Sequence, residues 1–122
     1  MLNWENYLAL LSLTKDDADL CEIIVDAVKA CTGYVSAVCE SEAQIKIARL
    51  TLSGADLRER VTDWDQRRHN AHEAAILSTK ILNRVAEQKG VGPVFTGDPS
   101  KRLEVADFCL ALTTRIFEER TL

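Results

Sequence analysis

Residues 53–89, SGADLRERVTDWDQRRHNAHEAAILSTKILNRVAEQK, decide the fold. After Gly54 the stretch holds no glycine and no proline. Those two residues are the main helix breakers, so the interior offers no stop. Leu57, Val61, Trp64, Arg68, Ala71, Ala75, Ser78, Leu82 and Val85 recur at alternating spacings of four and three. This is a heptad seam, with small and polar residues at its middle. Ser53 offers a capping oxygen and Asp56 follows three positions on, close to a capping box with Asp in place of Glu. At about 1.5 Å per residue, a helix over residues 54–89 runs roughly 50 Å. That is too long for a compact domain of 122 residues unless the helix protrudes or packs against another subunit.

Outward from this rod, the breakers punctuate the rest of the chain. The five glycines and two prolines lie at 33, 54, 90, 92, 93, 97 and 99. They divide the chain into four pieces, and no polar stretch separates the pieces into domains, so residues 1–122 read as a single helical domain. Upstream, Thr14 or Asp16 is the expected cap of a helix that Asp16, Asp17 and Asp19 favour electrostatically. Leu20, Ile24, Ala27 and Cys31 form its stripe, widened by Ile23 and Val28, and Gly33 is its expected stop. Before it, Asn3 is placed to cap a short helix carrying Trp4, Leu8 and Leu11. Tyr34–Leu52 keeps helical phase through Val38, Ile45, Ala48 and Leu52, although Tyr34–Cys39 is also rich in strand-forming residues. Downstream, Asp98-Pro99 reads as a cap followed by proline at the first helical position. Leu103, Ala106, Leu110, Thr113 and Phe117 then share one face, with Val105, Phe108, Cys109, Leu112 and Ile116 beside it. A helix so apolar is expected at the centre of the fold or against a second chain. The fold class is all-α: a bundle of four or five helices, with a long central helix at about 54–89 and an apolar C-terminal helix.

Composition narrows the function classes. The net charge is −4, with 47% hydrophobic and 28% charged residues. An acidic chain of this kind is a poor general nucleic-acid binder. No apolar run approaches the roughly 18 residues of a membrane span, and Leu8–Leu13 lacks the basic flank of a secretion signal. The four cysteines, at 21, 31, 39 and 109, contain no CxxC pair. They read as small buried hydrophobes in a reducing cytoplasm, with a Cys31–Cys39 bridge as the alternative if Gly33 makes a tight turn.

Two places invite a chemical reading. Asp65, His69, His72 and Glu73 fall along one face of the long helix, with Arg68 among them. Histidine and carboxylate are metal-ligand types. The order is His-x-x-His-Glu, however, and the chain has no further histidine. Carboxylates such as Glu42, Glu104 or Asp107 would have to complete a site. A structural network is the favoured reading, so no metal and no cofactor is assigned. Arg68 lies on the seam, so its stem is expected to be buried, with Asp65 as the nearest carboxylate. The second place is the loop Gly90–Pro99 with Asp98, Lys101 and Arg102 at the following helix start. It looks superficially like a phosphate cradle, but its spacing fits no known phosphate loop, and Asp98 puts a negative charge where an anion would sit.

The motif Asp65-x-x-Arg68-x-x-x-His72-Glu73-Ala74-Ala75-Ile76, then Leu82-Asn83-Arg84, Gly97-Asp98, Arg102, Phe108-Cys109 and Phe117-x-x-Arg120, resembles a family of small bacterial all-helical proteins classed as a domain of unknown function. The resemblance covers roughly residues 56–120. It implies a bacterial, cytoplasmic, helical protein and carries no catalytic role. The function expected is that of a non-enzymatic helical interaction protein, a homodimer or higher homo-oligomer, with any other protein partner unidentified. The alternative is a metal-dependent, hydrolase-like bundle enzyme using the His/Glu cluster. The expected oligomer interface is the Leu57–Val85 seam together with the last helix.

Overall fold

The computed structural model describes residues 1–121, with side chains as far as residue 119. It contains four α-helices: α1 (Trp4–Ser12), α2 (Ala18–Thr51), α3 (Gly54–Gln88) and α4 (Arg102–Thr121), with a 3-10 turn at Leu13–Asp16 after α1. The long helix is α3, close to the bounds expected from its sequence. Its partner is not another subunit. α2 is nearly as long and lies antiparallel to α3 within the same chain. Asp17 pairs with Lys89 at 3.2 Å at the base of this hairpin, and the Tyr34 and His72 rings meet at 5.3 Å halfway up. Leu52 and Ser53 close the tip, and Gly54, at φ 60°, takes the left-handed turn that a side chain would oppose.

α2 joins two segments that the glycine at 33 was expected to separate. Leu20, Ile24, Ala27 and Cys31 do form a buried stripe, and Tyr34, Ser41 and Ala48 extend it past Gly33. A helical glycine costs about 1 kcal/mol against alanine. Burying an apolar side chain returns roughly 1.5–3 kcal/mol, so the continued stripe outweighs the glycine. The strand alternative for Tyr34–Cys39 falls with it. The cap is Asp17, whose carboxylate accepts from the Leu20 N–H at 3.0 Å. Thr14 and Asp16 lie in the 3-10 turn instead. Asp17 has the extended backbone that a cap needs.

Ser53 makes no side-chain cap bond to α3, so the capping box does not form. At the other end, Gly90 at φ 75° lets its own N–H reach the Glu87 carbonyl and Val91 N–H reach Ala86, a Schellman closure. The loop then climbs along α3. Asn83 holds it: its Oδ1 accepts from the Val94 and Phe95 N–H groups at 2.9 and 2.8 Å, and its Nδ2 donates to the Phe95 carbonyl at 2.7 Å. The first residues of the chain pair with the same loop, Asn3 N–H donating to Val94 O and Thr96 N–H to Met1 O, both at 2.8 Å.

α4 begins at Arg102 rather than at Pro99. Asp98 does not cap it. Its carboxylate closes a local turn by accepting from the Ser100 N–H and hydroxyl. The first helical bond runs from Val105 N–H to Lys101 O. α4 runs back down α2, Cys109 beside Cys31 and Arg115 over the Trp4 ring at 5.1 Å. Its inward face is Val105, Phe108, Cys109 and Leu112, all fully buried. The stripe expected inside is turned outward: Leu103, Leu110 and Phe117 are 78%, 55% and 68% exposed. α4 therefore lies on the hairpin with one face in and is not central.

In α1, Asn3 caps as expected, its Oδ1 accepting from Asn6 N–H. Tyr7 and Leu10 enter the core, while Leu8 and Leu11 stay exposed. All four cysteines are free. Cys31 and Cys109 are buried, whereas Cys21 and Cys39 are exposed, contrary to the expectation that all four are buried. Cys31 and Cys39 lie about two turns apart on one helix and cannot bridge. The core sits at the base, where α1, the loop and α4 converge on the hairpin: Leu10, Ile24, Leu82, Val94, Phe108 and Leu112 are its largest fully buried side chains. Towards the tip only Ser41 and Ala48 are buried, and α3 has no buried residue before His72.

Candidate functional site

The polar face of α3 does not act as one group. Near the tip, Arg68 Nη2 donates to Asp65 Oδ1 at 3.1 Å, and both side chains are well exposed, at 31% and 50%. Asp65 is the partner expected, but the pair is not the buried ion pair the seam position suggested. The stem and Nε lie buried along the interface, Nε without a partner, while Nη2 reaches Asp65. Removing the guanidinium leaves a hydrated Asp65, and the ion pair itself is worth under about 1 kcal/mol. One turn further, His69 and Glu73 form a loose, exposed pair at 3.9 Å.

His72 is different. It is buried, with 8% of its surface exposed, and its Nε2 has no hydrogen-bond partner. Its ring tilts against Tyr34 of α2. Burial, then the nearby charge of Arg102 at the start of α4, hold its pKa below the usual 6.5. His69 pushes the same way and Glu73 opposes. His72 is thus a neutral imidazole at the junction of three helices. Among the described residues, no three His, Cys, Asp or Glu side chains converge as a metal ion would require. The two histidines differ in burial, His69 exposed and His72 buried, and among the described residues they share no ligand set.

The loop is equally unlike an anion cradle. The Asp98 carboxylate is held below the usual carboxylate range by the Ser100 hydroxyl and then its N–H. Glu104 Oε2 accepts from the Asp98 N–H at 3.2 Å, adding a second negative charge at the helix start. Lys101 and Arg102 are exposed. A cleft of about 530 Å³ does lie between this loop and α3, lined by Thr79, Lys80, Asn83, Arg84, Glu87, Phe95 and Pro99. Its buried polar side chains are already satisfied: Thr79 donates to Ile76 O, and Asn83 is committed to the loop.

The feature that sequence reasoning missed lies on the open side of the hairpin, away from α4. Ile23, Ala27 and Ala30 of α2 face Ala74, Leu77 and Ile81 of α3 across a groove of about 480 Å³. Ala27 and Ser78 are buried at its floor, and the exposed Asp26 and Ala74 also line it. Ile23, Leu77 and Ile81 stand at its sides, 38%, 58% and 37% exposed. The signal was present: Leu77 and Ile81 are apolar, four apart and off the heptad seam, so they cannot enter the α2–α3 interface. No described helix is long and apolar enough to cross a membrane.

The chain belongs to the family described as protein of unknown function (DUF3232), whose family model matches residues 2–122. The match extends well beyond the residues 56–120 on which the resemblance rests; of those, the Arg120 side chain lies outside the described residues. No curated protein and no solved structure matches the chain.

Proposed function

We propose, with membership of a family that has no assigned activity as the premise, that this is a non-enzymatic helical interaction protein. It works as a homodimer or higher homo-oligomer in the cytoplasm of a bacterial cell. The observation that carries this reading is the open groove between α2 and α3. Its apolar side chains are contiguous, and a monomer gains nothing by leaving them in water. The association surface is not the heptad seam, because α2 already covers that. It is the neighbouring face of the same two helices. Leu103, Leu110 and Phe117 offer a second apolar strip on α4 for larger assemblies. Four unbridged cysteines suit a reducing compartment.

Sedimentation equilibrium tests the reading. At micromolar concentration the expected mass is at least twice the 13.6 kDa of one chain. Leu77→Asp places a charge in the groove without touching the core and should return the protein to one chain per particle. A wild-type mass of one chain at that concentration sinks the proposal.

A further inference from the structure

The loop side of α3 carries charge that the fold does not use. Lys80 and Arg84 are exposed and both line the cleft of about 530 Å³. They stand one turn apart, with about 6 Å of helix rise between them. Like charges at this spacing weaken a helix. The last turn of α3 holds no basic residue, so the pair stands short of the terminus where the helix dipole would favour it. Among the described residues neither cation has an ion-pair partner. The opposite wall of the cleft is held in place. Asn83 fixes the loop at Val94 and Phe95, and the Asn6 side chain donates to the Pro93 carbonyl at 2.9 Å. A Cβ at position 97 would lie 2.9 Å from the Phe95 ring, so glycine lets the loop close onto that ring. Phe95 and Pro99 give this wall its apolar surface.

We infer that this cleft binds a small organic anion, with one carboxylate or phosphate group bridging Lys80 and Arg84 and an apolar body against Phe95 and Pro99. An oxyanion between the two cations relieves their repulsion and accepts charge-assisted hydrogen bonds from both. The volume falls within the roughly 300–1,000 Å³ of small-molecule sites. A wall that is already ordered spares the ligand the entropy of ordering it. Glu87 limits the class. It lines the cleft about one turn beyond Arg84 and repels a second negative group, so a single anionic centre fits and a polyanion does not. The anion does not sit at the start of α4. Asp98 and Glu104 hold that place with their own hydrogen bonds, and neither lines the cleft. The site needs no second copy of the chain, so it is independent of the oligomer reading.

Phenyl phosphate and benzoate are the probes, followed through the backbone amide chemical shifts of the full chain at physiological salt. At least one should bind saturably at millimolar concentration or below, with shifts centred on residues 79–87 and 94–98, and the tighter of the two identifies the anionic group. Inorganic phosphate should bind at least about threefold more weakly than phenyl phosphate, because it has no body to bury against Phe95 and Pro99. Lys80→Ala with Arg84→Ala should weaken the tighter probe at least about tenfold. Alanine suits a helix, and circular dichroism verifies that the variant keeps its fold. Lys46→Ala with Arg49→Ala removes the same net charge from residues that line a different pocket, towards the tip. At that distance salt screens the charge, so this variant should stay within about twofold of wild type. No saturable binding of either organic probe overturns the assignment. So do shifts scattered over the surface, equal weakening by the two double variants, or inorganic phosphate binding as tightly as phenyl phosphate.

Discussion

Burial governs the behaviour of His72. An imidazole shut away from water, with Nε2 unpartnered and the Arg102 charge nearby, resists protonation. In the unfolded chain the same group titrates near 6.5. As pH falls below that value the unfolded state takes up a proton that the folded state refuses, so stability is full above about 6.5 and drains away below it. The denaturation midpoint should decline between pH 7.5 and 5.5. His72→Leu should flatten that decline and raise stability by about 1 kcal/mol, since it removes an unsatisfied buried polar atom. A variant with an unchanged pH slope would place the titration elsewhere. The carboxylates Asp17 and Asp98 do not confuse the window. Both are held below their usual 3.8, by the Leu20 N–H first for Asp17 and the Ser100 hydroxyl first for Asp98, so their loss begins only in stronger acid. Hydrogen bonding to Cys109, then burial, pushes the Cys31 thiol up, while the same hydrogen bond draws the Cys109 thiol down.

The elements show where local signals compete. Gly33 is a good helix terminator by type, yet it sits inside α2 in open space, with nothing within 4 Å of an added Cβ. There is no left-handed backbone there for glycine to serve. Gly33→Ala should therefore stabilise the fold by about 1 kcal/mol through helix propensity alone, measurable as a rise in the denaturation midpoint. A loss of stability would mean that the helix needs glycine at that point. Asp98 shows the converse. Its carboxylate does bond an N–H two residues on, as a cap would, but residues 99 and 100 are a turn and the helix starts at Arg102. The capping pair Asp98-Pro99 marks the turn before the helix instead of its first turn.

The molecule as a whole is a rod with one thick end. At the base, five elements bury Leu10, Ile24, Leu82, Phe108 and Leu112. At the tip, two helices lean on each other through Val38, Ile45, Val61 and Trp64, all only partly buried. Local opening costs less where fewer apolar contacts must break. Amide hydrogen exchange should show a gradient, with residues 42–68 exchanging at least about tenfold faster than residues 20–31 and 75–86. Uniform protection along the hairpin would require a cover over the tip. The proposed dimer groove lies beside the base, so dimerisation should steepen the gradient.

The helical class, the length of α3 and its inward stripe were legible because period and breaker positions are properties of the chain itself. All nine seam residues from Leu57 to Val85 are buried or partly buried. The candidate polar residues were legible as types but not as a site. Helical spacing put Asp65, His69, His72 and Glu73 along one side, yet of the four only His72 is buried, where the Tyr34 ring and the Arg102 charge reach its level. What only the tertiary structure decided was which apolar faces find cover. α4 offers two stripes, and the chain buries Val105–Leu112 while Leu103, Leu110 and Phe117 face water. α3 likewise offers Leu77 and Ile81 beside its seam, and both stay exposed at the groove that they share with α2. Composition and spacing count apolar side chains on a helix. They do not count how many neighbours that helix has, because neighbours come from distant segments whose docking depends on loop length and packing geometry.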